Sequence, residues 1–123
     1  MPKDILIVDD SAVVRAALRM MLETQFGWHV CAEASDGRQG IAKAQQLHPD
    51  LIVLDLSMPV MNGLDAAHEL KRLLPYIPVV LYTDYEANHV KDIAKSEGIR
   101  AIVPKSAPRQ LVNVMQGILE PAA

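Results

Sequence analysis

The chain has 123 residues, 50% of them hydrophobic, and a formal net charge of −3. That is enough apolar mass for one globular core, and with acids and bases interspersed no basic field points to nucleic acid and no polybasic stretch to a membrane surface. The N-terminus lacks a signal-like apolar run and cleavage site, and no segment approaches ~18 uninterrupted apolar residues, so the expectation is a cytoplasmic protein with no membrane partner.

Along the chain, short apolar runs alternate with amphipathic ones. Ile5–Val8, Val30–Ala32, Leu51–Leu54, Val79–Tyr82 and Ala101–Val103 are each too short for a helix, and several are rich in Val and Ile, as strands buried on both faces should be. Between them apolar residues recur at three and four. Val14, Ala17, Leu18, Met21 and Leu22 form one such stripe, Leu64, Ala67, Leu70 and Leu74 another, and Leu111, Val114, Met115 and Ile118 a third. Ile41, Ala44 and Leu47 make a shorter version, with Ser35 or Asp36 as N-cap. The weakest helix spans 86–97, where Val90, Ile93 and Ala94 supply the apolar face. Five β-α units in a row predict an α/β fold, a doubly wound parallel sheet with right-handed crossovers and the flavodoxin-like (βα)5 strand order 2-1-3-4-5. Residues 1–121 then form one domain and 122–123 a tail.

Several familiar chemistries are excluded. Cys31 is alone, which rules out an internal disulfide, and its apolar surroundings make it a small core residue. His29, His48, His68 and His89 fall at no zinc-ligand spacing. The Gly37-Arg38-Gln39-Gly40 stretch lacks the Lys-Ser/Thr of a phosphate-binding loop.

In a sheet of this order, ligands bind beyond the carboxyl ends of the strands. Asp9 and Asp10 end the first strand, Asp55 the third and Thr83 the fourth, and Lys105 follows the fifth. Each residue alone has a plainer reading: a turn former or helix cap for an aspartate, a strand residue for Thr83, a solvated charge for Lys105. Their joint placement on neighbouring strands 1, 3, 4 and 5 favours a site. Three carboxylates in one crevice raise one another's pKa, and a hard dication such as Mg2+ relieves that repulsion. A lysine and a hydroxyl in the same cavity read as donors to phosphoryl oxygens, which leaves nucleophilic attack, giving an acyl phosphate, to Asp55.

In "ILIVDDS", "PDLIVLDLSMPVMNG", "VVLYT" and "IVPKS" the sequence resembles the receiver domains of two-component response regulators over nearly its whole length. The resemblance implies a phosphorylation switch, not an enzyme beyond its own phosphorylation and dephosphorylation. Asp55 would be the phosphoacceptor. Asp10 would bind Mg2+ directly, Asp9 mostly through water, and the Ser57 backbone carbonyl would be the third protein ligand beside Asp55. Thr83 would bond the attached phosphoryl group and Lys105 would pair with it. The donor would be a sensor histidine kinase or histidine phosphotransfer protein. The surface of helix 86–97, the fifth strand and the last helix would meet an output partner or form a phosphorylation-linked dimer.

Three departures from the family pattern stand out. Asp84 follows the threonine where a small residue is usual, so a carboxylate faces an incoming dianion. Ile102 occupies the position of an aromatic switch residue, and neither Tyr82 nor Tyr85 obviously replaces it. Ser106 follows the lysine where a proline with a cis bond is usual, and a cis bond before Ser costs about 2.5–4 kcal/mol. Lysine-serine is found in the branch with helix-turn-helix outputs. The rival readings are a degenerate receiver that acts as an interaction module without phosphorylation, and an aspartyl-phosphate phosphatase. The latter needs a carboxylate at position 57, which is Ser. The sequence reaches "QGILEPAA" just after the last predicted helix, and the expectation is either a free-standing receiver or one excised from a longer regulator.

Overall fold

The computed structural model describes residues 2–84, 92 and 94–121. Its five strands are β1 (Asp4–Val8), β2 (His29–Ala34), β3 (Leu51–Leu54), β4 (Val79–Thr83) and β5 (Ala101–Pro104). All pair in parallel, in the order β2-β1-β3-β4-β5 that the alternating pattern predicts. The helices with complete bounds are α1 (Ala12–Phe26), α2 (Gly37–Leu47), α3 (Gly63–Leu73) and α4 (Pro108–Leu119). Residues 94–96 are helical and belong to the helix predicted over 86–97. Tyr85, His89, Val90 and Ile93 lie outside the described residues.

Alternation along the strands sorts the core into two layers. Ile5, Ile7, Val53, Val80 and Val103 face α1 and α4, packing with Leu18, Leu22, Leu111 and Met115. Leu6, Val8, Ile52, Leu54 and Leu81 face the other side, with Ala44, Ala66, Ala67, Leu70 and Ala94. Every residue of Ile5–Val8 and Leu51–Leu54 is buried, as an unbroken apolar run in a two-sided sheet requires. Each such side chain contributes roughly 1.5–3 kcal/mol.

Some predicted details are corrected. β2 runs from His29 to Ala34, beyond the predicted Val30–Ala32, because backbone pairing with β1 reaches from His29↔Asp4 to Ala34↔Val8 irrespective of hydrophobicity. Ala17 and Leu47 are exposed, at the margin of the α1 stripe and at the end of α2. Cys31 is half-buried, its Sγ donating to the Ile5 carbonyl at 3.4 Å, and burial, then the Asp4 charge, pushes the thiol pKa up.

α1 and α2 begin within a few residues of strand ends and α3 begins after the loop that follows β3, each with a side-chain cap. Ser11 Oγ accepts from Val14 N–H at 3.2 Å, Asp36 Oδ1 from Gln39 N–H at 2.8 Å and Asn62 Oδ1 from Asp65 N–H at 2.9 Å. These caps gather α1, α2 and α3 starts at one rim of the sheet.

Candidate functional site

Backbone hydrogen bonds carry the parallel ladders one residue past the strands, and that residue is each time a charged one. Asp9 N–H donates to Ala34 O at 3.0 Å, Asp55 N–H to Val8 O at 2.9 Å and Lys105 N–H to Thr83 O at 3.1 Å. Register therefore sets these side chains next to one another, and the structure brings all five sequence-predicted strand-end residues to one rim. Carboxylate oxygens of Asp9, Asp10 and Asp55 lie within 4.8 Å of one another. Lys105 Nζ sits 2.8 Å from Asp9 Oδ2 and 3.2 Å from Asp55 Oδ2. Beside them opens a cleft of about 340 Å³ lined by Asp10, Asp55, Ser57, Thr83, Asp84 and Lys105.

Exposure divides the acids by situation. Asp9 and Asp55 are 2% and 4% exposed, whereas Asp10 is exposed. Both oxygens of Asp9 are engaged: Oδ1 accepts Ser11 N–H at 2.8 Å and Oδ2 meets Lys105. Asp55 Oδ1 accepts the Leu56 N–H at 2.8 Å.

Three carboxylates against one ammonium leave two formal negative charges in the cluster. The titration of the pair members reflects burial together with that imbalance. Burial first, then the Asp9 charge, pushes the Asp55 carboxyl above its usual range, outweighing the opposing pull of Lys105 and a hydrogen bond from Thr83. Burial alone would lower the Lys105 ammonium, but its hydrogen bond to Asp9 and the charges of Asp55 and Asp9 hold it up. Lysine sits among too many acids; Asp55 shares too little lysine. An all-oxygen donor set with excess negative charge and one exposed carboxylate fits a hard divalent cation.

The loop after Asp55 is held by close backbone approach. Gly63 N–H donates to Leu56 O at 2.8 Å, and a Cβ at Gly63 would lie 2.1 Å from the Asp55 carbonyl oxygen. Backbone, unlike a flexible side chain, cannot swing aside. Gly63→Ala is therefore expected to destabilise the chain by roughly 3 kcal/mol or more; a denaturant titration that shows a loss under 1 kcal/mol would contradict this packing. Val60, in the same loop, is exposed and takes φ 67°, a left-handed conformation rare for a β-branched residue.

The sequence departures take definite form. Asp84 lines the cleft and is exposed. The Lys105–Ser106 bond is trans, since the described residues contain no cis peptide. Tyr82 is buried in the layer that faces α1 and α4, its hydroxyl donating to the Lys105 carbonyl at 3.1 Å.

Sequence reasoning missed Arg15 and Glu33. Arg15 Nη1 donates to the Asp9 carbonyl at 2.6 Å, and its Nε meets Glu33 Oε1 at 2.9 Å. The available signal was positional: Arg15 is one turn into the helix that starts beside the acidic pair.

Residues 5–116 match the response regulator receiver domain family. The chain is 37% identical over 106 residues to the response regulator protein VraR of Staphylococcus saprophyticus, which covers 86% of this chain and 51% of that protein. It is 34% identical over 113 residues to a protein-glutamate methylesterase/protein-glutamine glutaminase of Methanosarcina mazei, covering 90% of this chain and 31% of that one. The chain thus spans about half or less of the length of these relatives. A LuxR-family two-component response regulator from an Aurantimonas species superposes with a TM-score of 0.90 at 28% identity, covering 97% of this chain and 86% of that structure. Strand order, strand-end acids and matched span agree, and the chain belongs to the family of response regulator receiver domains.

Proposed function

We propose that residues 1–121 form one receiver domain that accepts a phosphoryl group on Asp55 from a histidine kinase or histidine phosphotransfer protein in a Mg2+-dependent reaction. The observation that carries this reading is the meeting of Asp55, Lys105 and the Asp9–Asp10 pair within bonding reach at one rim. One Asp55 carboxylate oxygen attacks phosphorus as the bond to the donor's leaving group breaks, and the electron pair of that bond departs with the leaving group. Catalysis of this kind is mostly positioning and charge stabilisation. Bound between Asp10, Asp55 and the Ser57 carbonyl, with Asp9 acting through water, Mg2+ would neutralise charge on the transferring oxygens. Lys105 pairs with the arriving phosphoryl group, and Thr83 exchanges its bond to Asp55 for one to a phosphoryl oxygen. The added charge of about −1.5 to −2 then shifts the conformational equilibrium of the surface that includes β5 and α4, where an output partner or a second copy docks.

Incubation with acetyl phosphate tests the transfer directly. Intact mass should show one added phosphoryl group with Mg2+ present and none with the cation chelated. An unmodified chain in both arms would instead support a receiver that signals by binding alone.

Asp84 adds a third carboxylate, beside Asp10 and Asp55, to the cleft an anionic donor must enter. Asp84→Ala is expected to speed phosphorylation by acetyl phosphate roughly threefold, less at high salt. A rate equal to the parent's would mean that this carboxylate does not face the donor.

A further inference from the structure

Asp10 is the acid whose placement most needs explaining. It is exposed, while Asp9 spends both oxygens on Ser11 N–H and Lys105. The Asp10 side chain therefore depends on its backbone, and the Asp9–Asp10 peptide is clamped from three sides. Its neighbour on the strand side is fixed by Asp9 N–H donating to Ala34 O at 3.0 Å. On the helix side Ser11 caps α1, and its carbonyl accepts Arg15 N–H at 3.1 Å. The carbonyl of the peptide itself accepts the guanidinium of Arg15 at 2.6 Å. The last register pair of β1 with β2 is Val8↔Ala34, one residue before this carbonyl.

Arg15 is itself fixed. Its Nε meets Glu33 Oε1 at 2.9 Å, while Arg19 Nε meets Glu33 Oε2 at 2.8 Å. Glu33 thus holds one arginine on each oxygen, and Lys43 Nζ donates to its backbone carbonyl. Burial would raise the Glu33 carboxyl, but Arg19 and Arg15 outweigh that and hold it below its usual range, so it stays ionised at neutral pH. A guanidinium suits this post because its planar fork serves two acceptors in fixed directions, which an ammonium cannot do.

Resting on the metal-dependent reading of the cleft, we infer that Arg15, oriented by Glu33, is a positioning residue that sets the Asp9–Asp10 peptide and thereby aims the Asp10 carboxylate at the divalent cation. Loss of such an outer partner typically weakens metal binding by 10–100-fold. The sign of the effect separates positioning from plain electrostatics. Arg15 is a cation near a cation site; as a mere charge it repels Mg2+, and its removal would tighten binding.

Isothermal titration with Mg2+ alone, on the full chain, tests this with Arg15→Met, Arg15→Lys and Glu33→Gln, each first shown to fold by its thermal transition. Binding about tenfold weaker in both arginine variants, with Glu33→Gln weakening binding when Arg15 is present but not when it is Met, supports the inference. Tighter binding by Arg15→Met with Arg15→Lys unchanged overturns it, leaving charge alone. Should Arg15→Met not fold, Arg15→Lys decides, because it keeps the charge and removes the fork. A parent chain that binds no Mg2+ refutes the metal reading of the cleft, and the inference with it; binding by the parent and unimpaired binding by Arg15→Lys refutes the inference alone.

Discussion

Replacing Asp55 with asparagine is expected to abolish phosphorylation and, at the same time, to make the folded chain more stable at neutral pH. The first effect follows from loss of the nucleophilic oxygen. The second follows from burial of the Asp55 carboxylate and, after that, from the neighbouring Asp9 charge. Burial and Asp9 hold the Asp55 carboxyl above its ordinary range in the folded chain, so the folded state binds its proton to a higher pH than the unfolded state does. Folding stability from this group is accordingly highest below the ordinary carboxylate pKa and falls as pH rises through the window up to the raised folded value. Asparagine removes that penalty while Lys105 keeps Asp9 as a partner at 2.8 Å. A gain of roughly 1–2 kcal/mol at pH 7 is expected, vanishing toward pH 3. Thermal unfolding of both proteins across pH measures it. A variant less stable than the parent at pH 7 would show that Asp55 is a net stabilising partner of Lys105.

Lys105→Met should act in the opposite direction. The ammonium is the group that bridges two buried carboxylates, and without it Asp9, Asp10 and Asp55 face one another uncompensated. A stability loss on the order of 2–3 kcal/mol is expected, because removing one partner of a buried ion pair strands the other. Phosphorylation by acetyl phosphate should slow by roughly 10²-fold, the usual cost of one donor aimed at developing charge. Mg2+ should restore more stability to this variant than to the parent, since the dication would replace the missing positive charge. Equal stabilisation of both by Mg2+, in unfolding curves with and without the cation, would show that lysine and cation do not serve the same carboxylates.

The sheet and the acidic rim were legible in the sequence for one physical reason. A parallel sheet covered on both faces makes its central strands continuous apolar runs, and the first polar residue after each run marks the carboxyl rim. Ile5–Val8 followed by Asp9, and Leu51–Leu54 followed by Asp55, state this without any partner being known. The edges were less legible. β2 carries Glu33 and a half-buried pattern, and its length is set by pairing with β1 rather than by its own hydrophobicity. Ala17 and Leu47 fit a helical stripe by spacing yet remain exposed, because a spacing does not state how wide the buried face is. Val60 was illegible: nothing in a valine announces a φ of 67°, which the loop imposes while Gly63 closes against the Asp55 backbone. Arg15 and Glu33 were hidden for another reason. They are 18 residues apart on different elements, and only the packing of α1 on β2 joins them. Tyr82 illustrates the limit of neighbourhood in sequence. It adjoins Thr83, yet strand alternation turns it into the opposite layer, toward the Lys105 carbonyl.

The central claim is that Asp55 carries the phosphoryl group. Reducing the phosphorylated chain with borohydride converts an aspartyl phosphate to homoserine, and peptide mapping then reads its position. After incubation with acetyl phosphate and Mg2+, homoserine is predicted at position 55 and at no other aspartate. Homoserine at position 10 or 84, or a chain with none at all, would contradict the account.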